Sequence, residues 1–168
     1  MITEPKLENR HEQHYVAIRT YTTMQELDTA IQQLRGEVFA WLGKRGVAPA
    51  GAPFLRNLVI DMEALLEIEV GIPVASASST DGRVTAGVLP AGQYASLVYA
   101  GWDRGIEANA ALLDWGVQKG LMWDAWETEK GRAFGARLMS FLTDPNEEPD
   151  QAKWETEVAI RLADHQPW

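Results

Sequence analysis

The chain has 168 residues, of which 46% are apolar and 23% charged, a composition typical of one globular domain. Its 15 Lys and Arg residues stand against 24 Asp and Glu residues, and this net charge of −9 argues against nucleic acid as the main partner. The absence of cysteine excludes disulfides, thiolate metal ligands and cysteine nucleophiles. The chain has seven tryptophans, an unusually large number for this length.

The first half of the chain predicts a strand, a helix and two more strands. The first strand covers His14–Ile18, and apolar residues then recur at spacings of three and four, as in an amphipathic helix. The helix is expected to end near Gly43 or Gly46, because glycine commonly caps a helix. Its apolar positions are Leu27, Ile31, Leu34, Val38 and Trp41 or Leu42, and the closing strands are Phe54–Ile60 and Leu65–Val74.

The second half repeats this order of elements after a hinge at residues 76–90, where Asp81-Gly82 predicts a turn. The repeat units therefore cover about residues 12–75 and 91–164. The predicted elements are a strand at Gln93–Leu97, a helix with apolar positions Ile106, Ala110, Leu113 and Val117 that ends near Gly120, and strands over residues 134–143 and 154–162.

The closing strands of the two halves are the most similar segments. Residues 67–72 (EIEVGI) parallel residues 155–160 (ETEVAI) position for position. This duplication predicts an α+β fold of two strand–helix–strand–strand units with pseudo-twofold symmetry, with helices on one face of an antiparallel sheet and a ligand cleft on the other. The alternation of strand residues points Val158 and Ile160 toward the helices and Glu157 away from them. An alternative, in which the second face is merely solvated, stays open here.

Few residues offer metal-binding or nucleophilic chemistry. His11 and His14 are three residues apart rather than four, which does not match a helical zinc site, and His165 lies near the C-terminus. The sequence has neither a Gly-x-Ser-x-Gly motif nor a phosphate-binding glycine motif. We therefore predict no metal and no cofactor.

Aromatic side chains are concentrated in the second half, where Glu157 adds a carboxylate. Ring faces attract a cation by about 0.5–2 kcal/mol each, and a carboxylate completes its neutralisation. Trp123 and Trp126 occupy a loop-like stretch, where tryptophans often line a pocket. The alternative, which is favoured for any single aromatic residue other than these two tryptophans, is that it belongs to the core, and this alternative also stays open. The aromatic residues are Tyr94, Tyr99, Trp102, Trp123, Trp126, Phe134 and Phe141.

Three segments carry a resemblance to a known family: Leu89–Tyr94, Tyr99–Trp102 and residues 135–158, with the runs FLTDP (141–145) and KWETEV (153–158). They resemble the GyrI-like small-molecule-binding domains, the effector-binding domains of AraC-type and multidrug-responsive bacterial transcription activators. The resemblance implies two units around a cleft for hydrophobic, often cationic, ligands. Relatives often have an acid at the position of Met139, which here would give an adaptable apolar wall. Glu157 matches the family's other recurrent acid.

Regulators of this family carry a separate DNA-binding module, for which the predicted repeat leaves no room. We therefore expect a stand-alone bacterial domain that senses or sequesters hydrophobic or cationic drug-like molecules, without direct contact to nucleic acid. No apolar run approaches the length of a membrane span and no signal-peptide pattern is present, so we expect no membrane contact and a cytoplasmic location. A partner protein and a homodimer both stay open. The residues expected to bind the ligand are Tyr99, Trp102, Trp123, Trp126, Met139, Phe141 and Glu157.

Two other functions are implied by relatives of this kind. One is a hydrolase that opens cyclopropane rings in genotoxic compounds, with Glu157 as general base and a pKa raised by its apolar surroundings. The other is a protein inhibitor of the gyrase type, for which the sequence offers only an acidic surface. We favour binding over catalysis, because Met139 replaces an acid and leaves few catalytic groups.

Overall fold

A computed structural model describes residues 1–61 and 65–166 of the chain. Within these ranges it has ten β strands and two α helices. Both halves contain the predicted strand, helix and two closing strands, and four further short strands accompany them. In chain order the elements are β1 (Lys6–Arg10), β2 (Gln13–Thr22), α1 (Leu27–Arg45), β3 (Phe54–Ile60), β4 (Leu66–Pro73), β5 (Val84–Leu89), β6 (Gly92–Ala100), α2 (Gly105–Gln118), β7 (Ala125–Thr128), β8 (Gly131–Phe134), β9 (Arg137–Phe141) and β10 (Glu155–Arg161).

Helix α1 follows the apolar pattern of its sequence. It ends at Gly46, whose φ of 65° is a conformation that glycine adopts without strain. The amide of Gly46 donates to the carbonyl oxygen of Gly43 at 3.3 Å, which satisfies one of the free carbonyls at the helix end. The buried side chains of α1 are at the predicted positions Ile31, Leu34, Val38 and Leu42.

Helix α2 presents a different face to the sheet from the predicted one. Ile106 and Val117 are 76% and 75% exposed, so the prediction of this face was wrong. Apolar residues lie on more than one side of α2, and the helical pattern therefore does not identify a unique buried stripe. Small residues decide the contact, because a Cβ atom at Gly116 would lie only 2.2 Å from Cζ2 of Trp123. The buried residues of the helix are Ala108, Leu112 and Gly116.

The strands form one sheet whose order is symmetric about its centre. From end to end the order is β1-β6-β10-β9-β3-β4-β2-β5, so the strands of each half follow one another outward from the β9–β3 pair in the same way. At that pair, Leu55 lies opposite Met139 in an antiparallel register. The hairpin β7–β8 pairs with the end of β3 at Val59 and Ile60. This symmetry matches the predicted duplication.

Two short links make the sheet curl. Only His11 and Glu12 join β1 at one end of the sheet to β2 near the other end, and only Pro90 and Ala91 join β5 to β6. Such a link spans at most about 11 Å, so the two ends of the sheet must approach each other at these positions. The side chains enclosed by the curl lie on the face away from the helices, called here the inner face.

The inner face is packed rather than solvated along its centre. Tyr15 of β2 and Tyr94 of β6 belong to strands near opposite ends of the sheet, yet both are nearly fully buried in one cluster. Phe54 and Leu138 come from the two central strands of the same cluster. The alternative of a merely solvated second face therefore does not hold here. The other members of the cluster are Ala17, Leu89, Ala136 and Ala159.

Both helices pack on the opposite face of the sheet, called here the helix face. Helix α1 covers Ile68, Val70 and other residues of the first half, and α2 covers Val158 and Ile160 of the second half. The predicted orientation of β10 is confirmed, since Ala159 belongs to the inner-face cluster. A mostly antiparallel sheet with two helices on one face confirms the predicted α+β class.

Parts of the sheet differ from the prediction. Strand β1 precedes the predicted repeat, β5 lies inside the predicted hinge, and the hairpin β7–β8 includes Trp126 of the loop-like stretch. The strand expected over residues 134–143 is shorter, because residues 135 and 136 interrupt it and β9 begins at residue 137. Strands β1 and β5 pair with β6 and β2, and β8 of the hairpin also pairs with β3, so these pairings join segments that lie far apart in the sequence.

Two kinds of feature are absent from the described residues. In residues 1–61 and 65–166, neither helix has the length and apolar character that crossing a bilayer requires. In the same ranges, no three His, Asp or Glu side chains are grouped in a way that could hold a metal ion.

Candidate functional site

Two carboxylates of the inner face occupy equivalent positions in the two halves. Glu69 lies opposite Arg56 in the β4–β3 pair, and Glu157 lies opposite Ser140 in the β10–β9 pair. Because the strand order is symmetric, these two pairs match each other. The first half therefore has an arginine where the second half has a serine.

Arg56 neutralises Glu69 from within the sheet. Its Nη1 donates to Tyr15 Oη at 2.7 Å and its Nη2 donates to the carbonyl oxygen of Gly135 at 2.7 Å. Tyr15 Oη in turn donates to Glu69 Oε1 at 2.6 Å, and Arg56 Nη1 is 3.7 Å from the same oxygen. Burial and the charge of Glu69 raise the pKa of Tyr15, which keeps its hydroxyl a donor. Only 15% of the Arg56 side chain and 12% of the Glu69 side chain are exposed, so a ligand has little access to this carboxylate.

At the equivalent position in the second half, the cation comes from strand β1. Arg10 Nη2 donates to Glu157 Oε1 at 2.7 Å, and its Nε donates to Glu8 Oε1 at 2.9 Å. The guanidinium carbon lies 5.1 Å from the ring centroid of Tyr94. The side chains of Arg10 and Glu157 are 24% and 20% exposed. A guanidinium thus lies between carboxylates and an aromatic ring, which is a typical environment for an organic cation.

The electrostatics of this second cluster favour the positive charge. Burial by itself lowers the pKa of Arg10, but the hydrogen bonds and charges of Glu157 and Glu8 outweigh burial and raise it overall. The hydrogen bond from Arg10 also lowers the pKa of Glu8. Arg10, Glu157 and Tyr94, with Glu8 beside them, are called here the Arg10 cluster.

The sequence of residues 3–163 matches the family of GyrI-like small molecule binding domains. The chain belongs to this GyrI-like family. The match covers both halves of the fold and confirms the resemblance of the FLTDP and KWETEV segments. No curated protein matches the chain by sequence.

Solved structures share this GyrI-like fold at low sequence identity. The C-terminal domain of EcmrR has a TM-score of 0.74 and 16% identity, over 95% of this chain and 97% of that one. EcmrR in a complex with DNA has a TM-score of 0.77 and 16% identity, over 95% of this chain and 57% of that chain. This chain therefore spans little more than half the length of that EcmrR chain. SAV2435 bound to tetraphenylphosphonium has a TM-score of 0.60 and 9% identity, over 96% and 95% of the two chains.

The seven predicted ligand-binding residues do not form one box in this GyrI-like domain. Glu157 lies on the inner face, in the Arg10 cluster. Met139 and Phe141 lie on the helix face, because Glu157 is opposite Ser140 and neighbouring residues of a strand point to opposite faces. Tyr99 is also buried on the helix face, in the cluster beneath α2. The register between strands places these residues on opposite faces of the sheet, so they do not line one site. The sequence pattern does not supply this register.

Trp102 lies in a narrow cleft of the helix face, beside α1. Its ring meets the Trp154 ring edge to face, with centroids 5.5 Å apart, and Phe141 lines the same cleft. The cleft has about 10 Å³ of free volume, enough for roughly one water molecule. A drug-sized ligand needs roughly 300–1,000 Å³, so the walls of this cleft would have to separate to admit one.

The two tryptophans of the loop-like stretch have different environments. Trp123 packs on the α2 cluster beside Gly116 and forms an isolated bridge with Leu162. Trp126 lies on the β7–β8 hairpin and is 52% exposed. Trp123 therefore belongs with the core residues rather than with the Arg10 cluster.

Arg10 and Glu8 are site residues that the sequence reasoning missed. Their strand does carry a signal, since Lys6, Glu8 and Arg10 alternate with Leu7 and Asn9 in the pattern of a strand with one charged side. The segment is only five residues long and precedes the repeat, so this pattern alone does not reveal which strand it joins.

Arg137 is a partly buried cation of the helix face, at the start of β9. Its Nη2 donates to Asn109 Oδ1 at 3.1 Å, and its guanidinium carbon lies 4.8 Å from the ring centroid of Phe134. Burial, and in second place the positive charge of Arg132, lower the pKa of Arg137 to about 10. Its acceptor Asn109 is a neutral amide, which does not compensate the charge for the water that it loses on folding. The charge of Arg137 therefore reduces the free energy of unfolding.

We expect Arg137→Met to raise the free energy of unfolding at pH 7 by about 1–3 kcal/mol, since an apolar chain of similar length replaces a desolvated charge. Urea denaturation measures this difference. It should shrink as the pH rises above 10, because the wild-type side chain then begins to lose its proton in the folded state.

The matched control is Arg132→Met. Arg132 also lies over the Phe134 ring, at 5.4 Å, but is 46% exposed, so we expect a change within about 0.5 kcal/mol. If Arg137→Met destabilised the protein more than this control does, the buried charge would be shown to stabilise the fold.

Proposed function

We propose that this GyrI-like domain binds hydrophobic small molecules that carry a positive charge, with Glu157 as their counter-ion, and so acts in sensing or sequestration. The observation that carries the proposal is the position of Arg10. Its guanidinium is hydrogen-bonded to Glu157 at 2.7 Å and lies 5.1 Å from the centroid of the Tyr94 ring. This position therefore provides the carboxylate and the aromatic ring that an organic cation needs.

Glu157 is the more accessible of the two equivalent carboxylates. Glu69 is neutralised by Arg56, which is anchored at Tyr15 and at the Gly135 carbonyl group. In the second half, Ser140 stands at the position of Arg56, and the cation reaches Glu157 from the edge strand β1. A ligand cation can therefore replace Arg10 at Glu157 without breaking a contact inside the central strands.

The charge of the whole chain supports the same ligand class. A net charge of −9 raises the local concentration of cations around the molecule. The structural neighbour SAV2435 is bound to tetraphenylphosphonium, a bulky organic cation, and this gives a suitable probe.

Hydrolysis is less well supported than binding. A general base must accept a proton from water in its reaction, whereas Glu157 Oε1 already accepts a hydrogen bond from a permanently charged arginine. For hydrolysis Arg10 would first have to leave. Turnover of a cyclopropane-containing electrophile by wild type, abolished in Glu157→Gln, would favour the enzyme over the binding domain.

We expect Glu157→Gln to weaken the binding of tetraphenylphosphonium at least about tenfold, or roughly 1.4 kcal/mol, because the ligand loses its counter-ion. Isothermal titration calorimetry measures both affinities. Arg10 keeps Glu8 as an acceptor in this variant, so the fold should persist, and thermal unfolding checks this.

Glu107→Gln is the control, because it removes the same charge from an exposed position of α2. It should bind as wild type does. If Glu157→Gln also bound as wild type and Trp102→Leu lost binding instead, the ligand would lie in the helix-face cleft and the proposal would be wrong.

A further inference from the structure

We infer that Arg10 is a built-in competitor for the cation site and sets the affinity threshold that a ligand must exceed. The inference rests on the proposed function, since it assigns a role to the group that now occupies Glu157. Arg10 belongs to the edge strand β1 and is not equivalent to the arginine of the first half, which comes from the central strand β3.

The guanidinium of Arg10 makes three kinds of contact in the Arg10 cluster. It supplies a charge to Glu157, a second hydrogen bond to Glu8 and a face-on contact to Tyr94. A ligand cation would make the same ion pair with Glu157 and the same contact with the Tyr94 ring. The guanidinium and a ligand cation cannot both contact Glu157 Oε1 at the same time, so binding of the ligand requires that Arg10 leave this oxygen.

A tethered group competes at high effective concentration, on the order of millimolar or above. The apparent affinity of every ligand is then reduced by the fraction of molecules in which Arg10 has left the site. A small cation that offers only its charge gains nothing over the guanidinium. A bulky hydrophobic cation adds apolar contacts and can displace it, which restricts the site to hydrophobic cations.

Arg10 can leave Glu157 because its side chain is partly exposed and lies on an edge strand. It is 24% exposed, and within the part of the chain that the structure describes its strand pairs on one side only, with β6. Arg56 is different, since it bridges a tyrosine hydroxyl and a carbonyl group between buried strands. The two halves thus hold one permanent and one displaceable arginine at equivalent carboxylates.

The test compares Arg10→Gln with wild type by calorimetry, with tetraphenylphosphonium and tetramethylammonium as probes. We expect the affinity for both probes to rise by the same factor, at least about tenfold, because removal of a competitor affects all ligands equally. Lys6→Gln is the matched control. It removes a charge 3.8 Å from Glu8 on the same strand, and its effect should stay below about twofold.

A second measurement observes the arginine directly. In wild type, saturation with tetraphenylphosphonium should shift the NMR signal of the Arg10 Nε–H group and speed its exchange with water, while the Arg56 signal should not move. Equal affinities of wild type and Arg10→Gln would overturn the inference and leave the proposed function standing. If neither protein bound either probe, both would be overturned.

Discussion

Arg56→Met should lower the free energy of unfolding by about 3–5 kcal/mol, one of the two largest effects expected for this protein. The substitution leaves Glu69, whose side chain is only 12% exposed, without its cation. It also leaves the Gly135 carbonyl group without its donor. Chemical denaturation with urea measures the loss.

Arg10→Met is the informative comparison for this variant. Arg10 also faces a carboxylate of the inner face, but a quarter of its side chain is in water, so the loss should be about 1 kcal/mol or less. If Arg56→Met and Arg10→Met lowered the free energy of unfolding by similar amounts, this would contradict the distinction between a permanent and a displaceable arginine. It would also weaken the case for ligand binding at Glu157.

Phe54→Ala should cost about 3–5 kcal/mol, because the side chain fills the middle of the inner face. Phe54 is 1% exposed, and its ring meets that of Tyr15 edge to face at 5.1 Å. Urea unfolding monitored by circular dichroism gives the value. The prediction depends on the curl of the sheet, since a flat sheet would leave this position in solvent.

The control for Phe54→Ala is Ile106→Ala on α2. Ile106 is 76% exposed, although the helical pattern predicts that it is buried, and the change should stay within about 0.5 kcal/mol. A loss near 3 kcal/mol at this position would mean that α2 packs on the face predicted from the sequence. A small loss at Phe54 would mean that the inner face is open.

The sequence predicts the repeat well because repetition is a local property of the chain. Each half carries its own strand, helix and paired strands, and the matching of residues 67–72 with 155–160 identifies the closing strands. Helix α1 is predicted with its correct face, and its cap at Gly46 is one of the two glycines predicted for it. Helix α2 is not, because its apolar residues surround the helix and only the ring of Trp123 against Gly116 selects one side.

The site is predicted less completely than the fold. Glu157 is identified by the family resemblance and by alternation along β10, and it does lie on the face away from the helices. Met139 and Phe141 are assigned to the same pocket but lie on the helix face. Alternation within a strand gives two sets of residues, and only the register between strands tells which sets share a face.

The excess of tryptophan illustrates the same limit. Trp41 and Trp115 lie on α1 and α2, and each packs against the cluster of its own half. Trp102 lies in the narrow helix-face cleft, Trp123 against α2 and Trp126 on an exposed hairpin. The composition therefore indicates many aromatic contacts but not one aromatic pocket.

The sequence by itself determines the acidic charge, the duplicated α+β units, the family and the carboxylate at Glu157. Each of these follows from the composition, from the apolar periodicity or from a short sequence motif. The tertiary structure alone decides that Arg10 occupies that carboxylate. Strand β1 reaches it only because two-residue links bring the ends of the sheet together and place β1 beside β6. Contacts between segments almost 150 residues apart depend on this closure, and no local pattern encodes them.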